Sequence, residues 1–552
     1  MRDGQKTALI GGVLALVVGA TGLGAYALLS GDGTGDGTDD KQVTARSEPT
    51  EKPVETGPPT AEEVRHTAQG FLDAWEAGRP AKAAALTDDE AEARRALAAF
   101  AEDARLTRLQ LTQDTPSGAT VPFTVDATVT YEDGDRKRTT PWRYTSKLTV
   151  VRDTTTGEPV VDWEPSVLHP KLKDGETIRT GPSDVPPLKA VDRNGVELTA
   201  EEHPTLAGVL ADLRKRYATK AGGRAGWEIQ VVDAKGKKRE ALRKLSEGTP
   251  GTLRTTLDGR LQQAAEQAVA NSTKAAVVAV RPSTGEILAL ANAPAKGFNT
   301  ALQGAYAPGS TMKVVTASLL IDKGLAKPNA PHPCPKYFTY GGWKFHNLDK
   351  FEIKNGTFAQ SFAASCNTAF ISQAPKLSND DLTKQARDVF GIGLDWKVGT
   401  TTFDGRVPVQ SDAQMGASLI GQGGVRANPL VMASVSATVQ SGVFRQPYLV
   451  SPEVDGRTLA KAPRPLSPST AQSLRELMRL TATSGTAAQA MAGLGGDVGA
   501  KTGSAEVDGQ EKPNAWFTAY RGDLAVAAVV PNTGHGGEFA GPVVRKVLEA
   551  AG

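Results

Sequence analysis

The chain has 552 residues with 63 basic and 61 acidic side chains, a near balance that excludes the electrostatic footprint of a nucleic-acid binder. Its length implies roughly three or four domains, and apart from 58 Gly and 34 Pro its composition is that of an ordinary globular protein. His332 and Cys334 are neighbours but have no further ligand-type partners, so no metal site or other cofactor is expected.

In chain order, Arg2 and Lys6 precede an uncharged apolar run from Thr7 to Ser30. A run of roughly 23 residues is long enough to cross a hydrocarbon core of ~30 Å. Cations lie before it and Asp32, Asp36, Asp39 and Asp40 after it, which places the N-terminus in the cytoplasm and the bulk of the chain outside. Residues 1–30 are therefore expected to be a cytoplasmic tip and single membrane anchor, in a single-pass protein of the cell membrane. The rival is a cleaved signal peptide, for which Ala25-Tyr26-Ala27 offers a small-residue cleavage site, although the run exceeds the usual apolar core of about 7–15 residues. Both readings export the same bulk. Outside the cytoplasm, Cys334 and Cys366 either form a disulfide, worth ~3–4 kcal/mol in the chain-entropy picture, or remain two buried thiols.

Residues 31–60 are rich in Gly, Pro, Thr and charge without apolar periodicity, the composition of a flexible tether. From Ala61, the spacing of Val64, Ala68, Phe71, Leu72 and Trp75 predicts a helix ending at Gly78-Arg79-Pro80, and a second, Ala- and acid-rich helical stretch runs to about Asp103. Alternating strands with turns at Asp133-Gly134 and in "TTTGEPVVDWEP" complete a small α+β domain over 61–166, which holds no convincing catalytic set and reads as a spacer or recognition module. Residues 167–252, with the turn "DRNG" and an amphipathic helix near "LAGVLADLRKRYA", read as a connector. Residues 253–552 read as one domain, a strongly twisted sheet surrounded by helices.

In "YAPGSTMKVVTASLL", Pro308 and Gly309 break the chain before an apolar helix that carries Ser310 and, three residues on, Lys313. Residues three apart share a helix face, so the two side chains can touch. A lysine among apolar neighbours is poorly solvated, which lowers its pKa and suits it to be a general base for the serine. On its own the pair is weak, since a lysine snorkelling from a surface helix gives the same spacing. In "SCNTAF", Ser365 and Asn367 flank Cys366; the serine can relay a proton and the asparagine can bond an amide substrate, whereas a helix cap is the bland alternative. In "AKTGSA", which reads as an edge strand, Lys501 brings charge, Thr502 a hydroxyl, and Gly503 lets a ligand approach the backbone. The N–H of Ser504 with that of Ser310 would form an oxyanion hole worth about 3–4 kcal/mol per donor.

The three elements occur once each, in order, within one domain, a combination far more specific than any member. With "AVVAVRPSTGEILALAN", "LIGQGGVRANPLVMA", "SGTA" and "NAWFTAY", residues 253–552 resemble the transpeptidase domain of penicillin-binding proteins. The segment before it resembles the NTF2-like N-terminal part of class B, monofunctional members of actinobacterial type. Asn428 and Ser504 stand where relatives often have Thr, and "LKAVDRNG" lacks the usual preceding Arg-Gly. The resemblance implies a multidomain α+β protein with a β-lactamase-like serine transpeptidase fold, in which 167–252 is a pedestal or dimerisation-like connector. It implies that Ser310 attacks the terminal D-Ala-D-Ala carbonyl of a peptidoglycan stem peptide and that Lys313 takes its proton. Ser365 would pass a proton to the leaving amine with Lys501 tuning it, and Asn367 and Thr502 would hold substrate. β-Lactams would acylate Ser310. The implied partners are stem peptides, the cytoplasmic membrane and a membrane glycosyltransferase or other wall-synthesis protein.

A class A β-lactamase deacylates through a glutamate-activated water in the segment after S-x-N, and here no glutamate occurs between Glu352 and Glu453. Residues 61–252 are too short for the glycosyltransferase of bifunctional relatives. A slow D,D-carboxypeptidase and a catalytically weak scaffold are the alternatives. A sensor would need a cytoplasmic output domain, and only about six residues precede the expected span.

Overall fold

In the computed structural model, which describes residues 55–551, the first helix runs Ala61–Glu76. Thr60 and Glu63 cap it reciprocally: the Thr60 hydroxyl accepts from the Glu63 N–H and the Glu63 carboxylate accepts from the Thr60 N–H. The expected membrane span lies outside the described residues, and among those residues no helix is long and apolar enough to cross a membrane.

The Ala- and acid-rich stretch forms two helices, Pro80–Ala84 and Glu90–Asp103, rather than one. The break has a cause: the Leu86 carbonyl accepts from the Val161 N–H and the Asp88 N–H donates to the Val161 carbonyl, so the chain here pairs with a strand, and Asp89 then caps the second helix. Strands β1 (Leu106–Gln113), β2 (Thr120–Asp133), β3 (Arg136–Arg152) and β4 (Pro159–Asp162) form an antiparallel sheet in that order. Along β2, Val121, Phe123, Val125, Ala127 and Val129 alternate into the core, where Trp75 meets Phe100 and Phe123 edge-on.

The connector supplies β5 (Thr177–Pro182), β6 (Lys189–Val191), a helix Ala207–Tyr217, β7 (Trp227–Val232), β8 (Lys238–Ser246) and β9 (Thr252–Arg254). It has no core of its own. Ile178, Ile229 and Val231 join the N-terminal core, whereas Leu188, Ala190, Leu210, Leu213 and Tyr217 join the C-terminal one.

The remaining strands are β10 (Ala275–Val280), β11 (Ile287–Ala293), the small hairpin β12 (Tyr337–Tyr340) and β13 (Trp343–His346), β14 (Val498–Ala505), β15 (Asn514–Arg521) and β16 (Leu524–Val530). Five form one antiparallel sheet in the order β11-β10-β16-β15-β14. Both faces are covered. On β16, Ala525, Ala527 and Val529 pack with helix Pro429–Ser441, and Val526 and Ala528 pack with helices Gly259–Val269 and Gly536–Glu549. Burial on both sides is why "AAVVAV" and "LAVAAVV" read as continuous apolar runs. The outer edge of β11 is closed by a side chain: the Gln262 amide donates to the Leu290 carbonyl at 2.8 Å and accepts from the Leu290 N–H at 3.0 Å. The opposite edge, β14, borders a cavity.

Candidate active site

Ser310 sits on a 3-10 turn, Gly309–Met312, that runs straight into the buried helix Lys313–Asp322. Gly309 has φ +52°, and a Cβ there would lie 2.8 Å from the Ser504 carbonyl oxygen, so the turn presses against β14. From the other side the Gly309 N–H donates to the Gly421 carbonyl at 3.0 Å. A Cβ on Gly421, itself at φ +76°, would fall 2.0 Å from the Gly309 carbonyl oxygen. Gly421→Ala is therefore expected to displace the serine turn, costing roughly 1–3 kcal/mol from the left-handed backbone alone and more from the clash. Thermal unfolding and acylation rate measured together check this.

Lys313 is wholly buried. Its Nζ lies 2.9 Å from Ser310 Oγ and 2.7 Å from both the Ser365 carbonyl oxygen and Asn367 Oδ1. Burial holds its pKa well below the ordinary lysine range and the neighbouring Lys501 charge pushes it further down, with Glu506 opposing. Lys501 is equally buried, and desolvation lowers its pKa to about 7. Its Nζ donates to Ser365 Oγ at 2.8 Å and to its own neighbour's carbonyl, Thr502 O, at 2.9 Å.

Ser365 joins the two amines because of its backbone. It occupies the loop between helices Phe358–Ala363 and Thr368–Ile371 with φ +59°, a left-handed conformation unusual for a non-glycine residue and costly unless the surroundings hold it. Cys366, the next residue, is bonded to Cys334. Asn367 donates from Nδ2 to the His346 carbonyl at 3.1 Å.

On β14, Thr502 Oγ1 shares a hydrogen bond of 2.6 Å with Thr486 Oγ1. Gly503 lies between the Ser310 turn and the last helix: a Cβ on it would sit 3.0 Å from the Pro308 carbonyl oxygen, and one on Gly536 would sit 2.4 Å from the Gly503 carbonyl oxygen. Ser310, Ser365, Asn367, Thr502, Gly503 and Ser504 line one cavity of about 750 Å³, and Lys313 and Lys501 lie buried behind it.

The cavity also presents residues outside the three motifs: His346, Gln422, Thr486, Glu506, His535 and Glu538. Thr486 belongs to the "SGTA" segment, but nothing in its distance along the chain from Thr502 announces that their hydroxyls meet. Glu506, accepting from Gln422 Nε2 at 2.8 Å, and Glu538 are carboxylates supplied from beyond the segment after S-x-N. The lack of glutamate between residues 352 and 453 thus does not extend to the whole cavity wall.

A sheet covered on both faces thus holds, at one edge, a serine hydroxyl against a desolvated lysine amine, a pairing chemically suited to acyl transfer through the serine. Residues 275–549 match the penicillin binding protein transpeptidase domain and residues 63–176 the NTF2-like N-terminal transpeptidase domain. The chain is 30% identical over 369 residues to the peptidoglycan D,D-transpeptidase PbpA of Mycobacterium tuberculosis (strain CDC 1551 / Oshkosh), a match covering 54% of this chain and 72% of that protein. Among solved structures, the fold is similar to Pseudomonas aeruginosa PBP2 in complex with WCK 5153 (TM-score 0.54, 22% identity, 68% of this chain and 96% of that one). It is also similar to a chain from a peptidoglycan synthase complex (TM-score 0.53, 23% identity, 68% and 92%). The chain belongs to the penicillin-binding protein transpeptidase family.

Proposed function

We propose that this chain is a monofunctional, class B peptidoglycan D,D-transpeptidase, acting through an acyl-enzyme on Ser310. The observation that carries the reading is the buried Lys313 amine 2.9 Å from Ser310 Oγ. A neutral amine there accepts the hydroxyl proton as Oγ attacks the carbonyl of the penultimate D-alanine. The N–H groups of Ser310 and Ser504 take the developing oxyanion. Ser365, bonded to Lys501, delivers a proton to the departing D-alanine amine, while Asn367 and Thr502 hold the stem's amide and carboxylate. The ester then passes its acyl group to an amine of a neighbouring stem, forming the cross-link and freeing Ser310. A β-lactam enters the same site as a strained amide and stops at the ester.

The charge pattern around Thr7 to Ser30 supports a single-pass anchor with the bulk of the chain outside the cytoplasm. That anchor would keep the catalytic domain beside a membrane glycosyltransferase producing its glycan substrate. The test is to incubate the full-length protein in detergent with a stem peptide ending in D-Ala-D-Ala and an amine acceptor. Cross-linked product is expected to exceed hydrolysed product; hydrolysis alone would make the protein a carboxypeptidase, and neither product would leave a scaffold.

A further inference from the structure

The short helix Thr368–Ile371 starts at Asn367, yet the Asn367 side chain makes no capping bond to it. Asparagine in that place ordinarily turns its own oxygen back onto the first free N–H groups of the helix. Here the N–H groups such a cap would serve are taken up otherwise, Ala369 N–H by Cys366 Sγ at 3.2 Å and Phe370 N–H by the Asn367 carbonyl at 3.1 Å, and another asparagine holds the two N–H groups before them. Asn347, wholly buried, accepts on Oδ1 from the N–H of Asn367 at 2.8 Å and the N–H of Thr368 at 3.1 Å, while the Thr368 hydroxyl donates to the Pro335 carbonyl. Its Nδ2 donates to the Pro335 carbonyl at 3.0 Å and the Phe351 carbonyl at 2.8 Å, and it touches Cys334 Sγ at 3.2 Å. Asn347 thereby ties the segment carrying hairpin β12–β13 to the serine–asparagine loop, beside the covalent tie between Cys334 and Cys366.

The consequence falls on Asn367. With the backbone of Asn367 and Thr368 held by Asn347, the Asn367 Oδ1 accepts from Lys313 at 2.7 Å, and its Nδ2 is fixed on the carbonyl of His346, the residue next to Asn347. We propose that Asn347 is a positioning residue for acylation, which anchors the backbone N–H groups of Asn367 and Thr368 so that the Asn367 side chain faces Lys313 and the substrate. Without its oxygen these two N–H groups lose their acceptor, and the backbone that aims the Asn367 side chain is free to shift.

This inference rests on the acyl-enzyme reading, and the experiment separates the two. Full-length wild type, Asn347→Leu and Asn347→Asp are labelled with a fluorescent penicillin, each at its own pH plateau, with thermal unfolding in parallel. Both substitutions at 347 are also made with Asn367→Ala. Asn347→Leu should acylate on the order of 10²-fold more slowly. Asn347→Asp keeps the acceptor oxygen but turns a second oxygen on the Pro335 and Phe351 carbonyls, so it should unfold at lower temperature than wild type yet acylate faster than Asn347→Leu. In the Asn367→Ala background the additional loss should shrink to about threefold or less, because the group being positioned is gone. A purely structural role would cost the same factor in both backgrounds and would overturn the proposal, as would wild-type labelling by Asn347→Leu. If Asn347→Leu does not fold, Asn347→Asp decides: a loss of the same factor in the Asn367 and Asn367→Ala backgrounds refutes the role. Wild type that takes no label removes the acyl-enzyme reading and this inference with it; labelled wild type with unaffected variants removes only this inference.

Discussion

Ser310→Ala is expected to take no covalent label from a fluorescent penicillin and to lose transpeptidation by on the order of 10⁵-fold or more, as when a nucleophile is deleted from a cooperating set. The argument is local. Among the described residues, Ser310 is the one whose hydroxyl lies both in the cavity and 2.9 Å from Lys313 Nζ; the Ser365 hydroxyl stands 3.5 Å from that amine and closer to Lys501. Removing Oγ leaves Lys313 with the Ser365 carbonyl and Asn367 Oδ1 as partners, so unfolding should shift by only a few degrees. Reversible binding of the drug should persist, because the rest of the cavity wall is untouched. Labelling at wild-type rate by a folded Ser310→Ala protein would remove the serine from its role.

Lys501→Met should act on two pH profiles at once. In the proposed mechanism acylation needs neutral Lys313, so its rate climbs as pH rises through the lowered pKa of that amine. The Lys501 charge helps hold that pKa down. Deleting the charge raises it, so the acid limb moves to higher pH, and loss of the proton relay through Ser365 lowers the plateau by roughly 10²–10³-fold. Stability follows from the second profile. Lys501 titrates at about 7 in the fold against 10.5 for an ordinary lysine, so between those values the unfolded chain binds the extra proton. Wild-type stability should therefore rise with pH across that window, by up to about 1.4 kcal/mol per unit from this one group, and the penalty is complete below it. The variant lacks that slope. Parallel unfolding profiles for the two proteins from pH 6 to 10, or an unmoved acid limb, would contradict the assignment.

Much of this site is legible in the sequence because three chemical requirements each leave a short local pattern. Ser310 and Lys313 are brought together by one helical turn, and Lys501, Thr502 and Gly503 by one strand. Residues whose meeting depends on the path of the chain left no such trace. Thr486 reaches Thr502 because helix Pro468–Ser484 packs on β14, and Asn347 reaches Asn367 because a hairpin folds back across a disulfide. The helical stretch to Asp103 shows the same limit: its composition favours helix throughout, but pairing of residues 86–88 with Val161 overrides that preference. Alternation announced β2, whereas the order of the five-stranded sheet, which sets β10 against β16, was beyond any periodicity.

That last pairing has a consequence for how the protein matures. β10 is made early in its domain, and the strand that shields its flank, β16, comes some 250 residues later. A growing chain thus holds the Ser310 helix long before Lys501 exists, with an open apolar strand awaiting a late arrival. Chemistry stays off until nearly the whole domain has emerged. The same geometry makes early termination hazardous: a product ending before Leu524 would expose β10 to whatever chain lay nearest, and clumping rather than weak activity is its expected fate.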